Sequence, residues 1–146
     1  MTAETGGRRG SRHAARTRAL EVLYEADLRG RPLSEVLAAH LRDAEPLDDY
    51  SVELIRGVYR NLAAIDRLIA QFSREWKLER MPIVDRNILR LGLYELEFND
   101  AIPRAVAIDE AVELAKELST EDSGRFVNGL LSRASEHKTT MPGTSD

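Results

Sequence analysis

Apolar residues recur along most of this chain at intervals of three and four positions, the spacing that places them on one face of an α-helix. The longest such pattern runs from Val52 to Phe72 without interruption. No stretch of strand length alternates apolar and polar residues. The pattern therefore predicts an all-α protein, a compact helical bundle of about six to seven helices.

Capping residues, glycines and prolines set the predicted ends of these helices. The predicted helices run from Ser11 to about Leu28, from Ser34 through Leu41, from Asp48 or Asp49 to Phe72, from Pro82 to Phe98, from Pro103 through Ala115, and from Asp122 or Ser123 through Ala134. Apolar residues cover most of the circumference of the helix that follows Pro82. We therefore expect that helix at the centre of the bundle.

A length of 146 residues with 42% hydrophobic content suits one domain with a single core. We assign this helical domain to residues 11–134. Residues 1–10 are polar and contain three glycines, so they are predicted to form a flexible basic arm. Residues 135–146 are predicted to form a disordered polar tail.

Composition excludes several classes of protein and site. The chain has no cysteine, which excludes disulfides, zinc–thiolate sites and a thiol nucleophile, and which suits the reducing cytoplasm. No apolar run approaches the roughly 18 residues of a membrane-spanning helix. The N-terminus also lacks the apolar stretch of a secretory signal. We expect a cytoplasmic protein that does not enter a membrane.

The sequence offers no recognisable catalytic centre. His13, His40 and His137 lack the spacing of metal ligands, and the motifs of nucleotide loops and nucleophile elbows are missing. Sequential acids such as Asp109 and Glu110 point in different directions on a helix. We expect no catalytic residue, no metal site and no cofactor.

Charge is segregated along the chain. The first 18 residues hold five arginines and one acid, whereas residues 19–146 carry 16 basic and 24 acidic side chains. On a helix, four of these arginines fall within about 100° of one another; they are Arg8, Arg9, Arg12 and Arg16. The same face becomes apolar at Ala19 and Leu23, so we expect the arginines to overhang the core and stay exposed. Guanidinium groups match phosphate oxygens, which favours RNA binding over a merely solubilising arm.

The segment 120–129 is a second candidate site. Asp122 or Ser123 is expected to cap the last helix, and Phe126 is by default a core aromatic. Arg125 and Phe126 together could also offer a charge and a stacking ring to an unpaired nucleotide. Physical chemistry alone favours the structural role here.

Several segments together resemble one known family. They are VAIDEAVELAK at residues 106–116, FVNGLL at 126–131, DRNILR at 85–90 with LYEL at 93–96, and the arginine-rich segment from Arg12 to Tyr24. In this order they resemble the NusB family of bacterial transcription antitermination factors, from about Arg8 to Ala134.

The resemblance implies two helical subdomains, the first built on the first three helices. It implies binding of the boxA sequence of ribosomal RNA leaders together with NusE, a protein of the small ribosomal subunit. The complex would load on RNA polymerase with other Nus factors and suppress Rho-dependent termination. By the same resemblance the RNA contacts would be Arg9, Arg12, Arg16, Asp122, Arg125 and Phe126, and the NusE surface would include Asp85 and Arg86. We interpret Trp76 as packing at the subdomain junction.

Three alternatives stay open at this point. The same helical domain resembles the front module of certain ribosomal RNA cytosine methyltransferases, although no methyl-donor site follows Leu131. A helical protein–protein scaffold would use the arm for solubility. A helix-turn-helix DNA-binding protein is disfavoured because the later helices are acidic. The long amphipathic helices also permit a homodimer.

Overall fold

The computed structural model describes the backbone of residues 2–74 and 76–140, and the side chains of residues 12–74 and 76–137. Over these residues the chain forms seven α-helices and one 3₁₀ helix, with no strand. The α-helices are α1 (Thr2–Arg29), α2 (Leu33–Leu41), α3 (Asp49–Arg60), α4 (Leu62–Phe72), α5 (Ile83–Phe98), α6 (Arg104–Leu118) and α7 (Glu121–Thr140), and the 3₁₀ helix is Leu78–Arg80. The predicted all-α fold is confirmed.

The first of two compact units comprises residues 1–60. Helix α1 packs on both α2 and α3, and its core side chains include Ala19 and Leu23, as the periodicity predicts. Ser51 on α3 donates a hydrogen bond from its hydroxyl to the carbonyl oxygen of Ala15, at 2.8 Å. Ala15 itself is buried and has a small side chain, which allows this close contact. Gly30, with a φ of 62°, ends α1 in the left-handed conformation that glycine adopts without strain.

One predicted helix is two helices in the structure. The apolar pattern from Val52 to Phe72 predicts a single long helix, but the helix is interrupted at Asn61, whose φ of −116° and ψ of 16° lie outside helical values. Asparagine is a weak helix former, and the interruption falls where the two compact units divide. The prediction of one continuous helix is wrong because periodicity does not detect a break that keeps the apolar spacing.

The second unit, residues 61–146, is built around α5. This helix packs against α4, α6 and α7, and Ile88, Leu89 and Leu93 are completely buried. A Cβ atom at Gly92 would lie 3.0 Å from a methyl carbon of Leu131 and 3.2 Å from Cβ of Ala111, so a larger residue here would require these neighbours to shift. The central position predicted for this helix is confirmed.

Both ends of the helical region differ from their predicted bounds. Helix α1 begins at Thr2, ahead of the expected cap at Ser11. Helix α7 continues to Thr140, and the ring of His137 lies edge-on to that of Phe72, with centroids 5.3 Å apart. The flexible arm at 1–10 and the disordered tail at 135–146 stay predictions, since the side chains of residues 1–11 and 138–146 lie outside the described residues.

Candidate nucleic-acid interface

The first candidate surface lies in the first unit and centres on Arg12. Its side chain is exposed, and its guanidinium carbon lies 4.7 Å from the centroid of the Tyr50 ring, a cation–π arrangement. Tyr50 belongs to α3, which the bond between Ser51 and Ala15 holds against α1. Stacking on a ring face leaves the N–H groups in the guanidinium plane available to an anion. Arg12 is therefore an exposed cation whose position is restrained by the Tyr50 ring.

Arg16 does not share this exposure. It is 2% exposed, and its guanidinium carbon lies 5.7 Å from the same Tyr50 ring. The expectation that the whole arginine stripe overhangs the core is wrong, because the packing of α1 already begins at Ala15, which is also buried. The side chains of Arg8 and Arg9, the other members of the stripe, lie outside the described residues.

The second candidate surface lies in the second unit and is a groove of about 710 Å³. Its lining residues are Trp76, Pro82, Ser119, Thr120, Asp122, Ser123, Arg125 and Phe126. Asp122 and Arg125 are both exposed and form an ion pair one turn apart on α7. The hydrogen bond from Arg125 to Asp122 raises the pKa of the guanidinium above its ordinary value. The groove thus presents a carboxylate acceptor and a guanidinium cation side by side.

Phe126 takes the core position that physical chemistry favours, since it is only 7% exposed. Trp76 covers it, with ring centroids 5.1 Å apart and planes tilted by 59°. Trp76 belongs to the second unit and is 40% exposed, and its packing at a subdomain junction stays a prediction. Sequence reasoning therefore missed the exposed aromatic of this groove. An isolated tryptophan outside any periodic apolar segment was the only available signal.

The residue that caps the start of α7 is neither Asp122 nor Ser123, the two residues predicted for this role. Thr120 is the cap, because its hydroxyl oxygen accepts the backbone N–H of Ser123 at 3.0 Å. The carboxylate of Asp85, completely buried at the start of α5, accepts hydrogen bonds from the hydroxyls of Ser119 and Ser123, both at 2.8 Å. These hydrogen bonds hold Ser119 and Ser123, which line the groove, in place.

The two residues assigned to a partner surface differ in accessibility. Asp85 is buried in the network just described, so its assignment to an exposed contact surface is corrected. Its neighbour Arg86 is half-buried and donates to the carbonyl oxygen of Leu78 at 3.4 Å. Of these two residues, only Arg86 has a side chain that is partly accessible to a partner.

Among the described side chains, no group of three or more His, Asp or Glu residues is arranged to hold a metal ion. None of the helices in the described part of the chain combines the length and apolarity needed to cross a bilayer.

The helices and the two surfaces define an all-α protein that presents arginines beside aromatic rings. A model of the NusB family matches residues 13–136, and the chain belongs to this family. The transcription antitermination protein NusB of Thermobifida fusca (strain YX) is 53% identical over 135 residues, which cover 92% of this chain and 95% of the relative. Its counterpart in Streptomyces coelicolor is 48% identical over 137 residues, covering 90% and 96%.

Solved structures agree with this assignment. The structure of T. maritima NusB superimposes with a TM-score of 0.74 at 40% identity, covering 86% of this chain and 90% of that one. A crystal structure of the antitermination factors NusB and NusE in complex with dsRNA gives a TM-score of 0.71 at 32% identity, covering 86% and 96%. The resemblance found in the sequence is confirmed at the level of fold and family.

Proposed function

We propose that this protein is a transcription antitermination factor that binds boxA RNA of ribosomal RNA leaders together with NusE. The complex would assemble on the RNA polymerase elongation complex with other Nus factors and suppress Rho-dependent termination. The observation that carries the proposal is the similarity, over nearly the whole relative, to a NusB solved with NusE and dsRNA. In this role the protein is an adaptor and not an enzyme, and it acts in the cytoplasm, where the nascent RNA is made.

Arginine residues supply the phosphate contacts in this proposal. Arg12 is exposed and held on Tyr50, and by their spacing in the sequence Arg8 and Arg9 would add to the same surface. Arg16 is too buried for direct contact with RNA. We assign it the supporting role of packing near Tyr50, which positions Arg12.

The groove in the second unit supplies contacts to a nucleotide. Arg125 would meet a phosphate, and Asp122 would accept N–H groups from a base edge. Phe126 supports this surface from within, because it is nearly buried. Phosphate contacts orient the RNA, whereas contacts to base edges distinguish its sequence.

For the NusE surface we propose Arg86 as a direct contact and Asp85 as an indirect one. The buried carboxylate of Asp85 holds Ser119 and Ser123 in place, so its loss would disturb the surface near α7 without removing a contact. NusE would supply much of the sequence selectivity by adding its own contacts to a joint surface.

The test is fluorescence anisotropy of labelled boxA RNA titrated with this protein, with and without NusE, at two salt concentrations. A scrambled RNA of equal length is the control. We expect tighter and sequence-selective binding when NusE is present, and weaker binding at higher salt because neutralised phosphates release counterions. Equal and weak binding to both RNAs, unchanged by NusE, would contradict the proposal.

A further inference from the structure

Trp76 is the most exposed aromatic ring of the second candidate surface. Its ring rests on Phe126 at a centroid distance of 5.1 Å, yet 40% of the residue stays exposed. Its backbone is held by Ser73, whose hydroxyl donates to the carbonyl oxygen of Trp76 and accepts the N–H of Trp76 at 3.4 Å. A large apolar ring is therefore fixed in place while much of it remains in contact with water.

Trp76 lines two grooves. One is the groove of about 710 Å³ that also contains Asp122 and Arg125. The other, of about 350 Å³, includes Arg74 and Lys77 among its lining residues. Both volumes fall in the range of small-molecule sites. Cationic side chains thus lie in both grooves that share the tryptophan ring.

We propose that Trp76 stacks on an unpaired base of the bound RNA, with Phe126 as its buried support. The inference rests on the proposed function and names the residue that would hold the base. Proteins bind single-stranded nucleic acids by combining aromatic rings, on which bases stack, with basic groups that follow the phosphates. Trp76 supplies the ring, and Arg125, Arg74 and Lys77 supply the charges.

The composition of the surroundings favours a nucleotide over an apolar protein helix. A docked helix needs a broad apolar surface, but the exposed side chains that line the smaller groove beside Trp76 include Arg74, Lys77 and Glu79. On the other groove the one exposed acid, Asp122, is paired with Arg125. A single aromatic ring among charged groups matches a base flanked by phosphates.

Trp76 is the only tryptophan of the chain, so its fluorescence reports on this position alone. The complex with NusE is titrated with unlabelled boxA RNA, and the same complex carrying Trp76→Phe is the blank for any emission from NusE. We expect saturable quenching that follows the binding curve measured by anisotropy, because a stacked base quenches the indole directly.

Variants test the energetic role of the ring. Trp76→Leu keeps an apolar cover on Phe126 but offers no stacking face, and it should weaken RNA binding about 5- to 150-fold, the loss expected for one stacked base. Trp76→Phe should stay within about threefold of the wild type because it keeps an aromatic face. Phe98→Leu is the matched control: Phe98 is 42% exposed and stacks on Tyr94 at the opposite end of α5, and this change should leave binding unaltered.

The outcomes separate this inference from the function on which it rests. If boxA RNA binds selectively but Trp76 fluorescence stays constant and Trp76→Leu binds normally, the inference is wrong and the proposed function stands. If NusE alone changes the fluorescence and RNA adds nothing, Trp76 contacts protein and the inference is overturned. If boxA RNA binds no better than the scrambled RNA, both fail. Thermal melts followed by circular dichroism establish that each variant is folded.

Discussion

Arg12 and Arg16 lie about one turn apart on α1 and have different surroundings. Both guanidinium groups are near the ring of Tyr50, but Arg12 is exposed and Arg16 is 2% exposed. An exposed arginine is accessible to a ligand, whereas a buried one contributes its packed stem and its polar contacts to the fold. The same residue type therefore predicts different consequences of substitution at the two positions.

Substitution of each arginine by alanine should separate the two roles. Arg12→Ala should change the free energy of unfolding by less than about 1 kcal/mol, since it removes one exposed cation–π contact. Arg16→Ala should destabilise the protein by about 1–3 kcal/mol, because it leaves a buried space and unsatisfied groups. Urea denaturation followed by circular dichroism measures both values. Equal stability of the two variants would show that the burial of Arg16 contributes nothing to the fold.

Glu25 should make stability depend on pH in the acid range. Its carboxylate lies 2.9 Å from Nε2 of His40. This hydrogen bond, helped by the electrostatic attraction of His40 and Arg29 and partly offset by burial, lowers the pKa of Glu25 below its ordinary 4.5. A lowered folded-state pKa means that the contribution is complete above the unfolded value and is lost as the pH falls through the folded value. Stability should therefore decline below about pH 4.5.

The measurement is the free energy of unfolding in urea at several pH values between about 6 and 3. Glu25→Gln should show a shallower decline than the wild type, since it carries no titrating carboxyl group at this position. Glu53→Gln, a change at an exposed acid of α3, is the control. A Glu25→Gln curve parallel to that of the wild type would contradict the assignment.

At the scale of the helix, the ends of α4 and α7 are secured by single side chains. Thr120 accepts the N–H of Ser123 at the start of α7. Arg133, further along α7, donates from Nε and Nη2 to the carbonyl oxygen of Phe72, the last residue of α4. Each bond satisfies a backbone group that a helix end leaves without an intrahelical partner. The position of α7, and with it the groove beside Trp76, depends on such contacts.

Removing the cap of α7 should destabilise the protein and loosen the groove. Thr120→Ala deprives the Ser123 N–H of its acceptor, and caps of this kind contribute about 0.5–2 kcal/mol to stability. Thr120→Ser keeps the hydroxyl and should stay close to the wild type. Chemical denaturation gives the energies, and hydrogen exchange at the first turn of α7 locates the effect. Unchanged exchange there in Thr120→Ala would show that another group caps the helix.

At the scale of the molecule, charge is unevenly distributed. The net charge is −4 although the first 18 residues are strongly basic, so the acidic remainder would repel RNA outside the basic positions. Each compact unit carries one candidate surface, centred on Arg12 in the first and on Trp76 and Arg125 in the second. Binding should consequently depend on a few specific cations and not on the total charge.

The salt dependence of binding measures how many of these cations contact phosphate groups. In a plot of log affinity against log salt, each phosphate contact to a single strand contributes a slope of about −0.7. Arg12→Ala and Arg125→Ala should each flatten the slope by about 0.7, and the double variant by about 1.4. Arg56→Ala, which removes an exposed arginine of α3 outside both surfaces, should leave it unchanged. Anisotropy at several salt concentrations gives the slopes. If Arg12→Ala has the same slope as the wild type, Arg12 does not belong to the interface.

The sequence by itself determined the helical class, the central position of α5 and membership of the NusB family. These properties depend on spacing, composition and local motifs, all of which can be read from the amino-acid sequence alone. The position of Phe126 in the core was also predictable, since a large aromatic within an apolar helical pattern is usually buried.

Only the tertiary structure decided which functional side chains are accessible. Arg16 is buried where α1 packs against α3. Asp85 is also buried, and its carboxylate accepts hydrogen bonds from Ser119 and Ser123, which lie more than 30 positions later in the chain. Trp76 joins the groove because it meets Phe126, 50 positions later in the chain. Burial is a property of contacts between distant segments, so a periodic pattern shows that a helix has an inner face but not which residues its neighbours will cover.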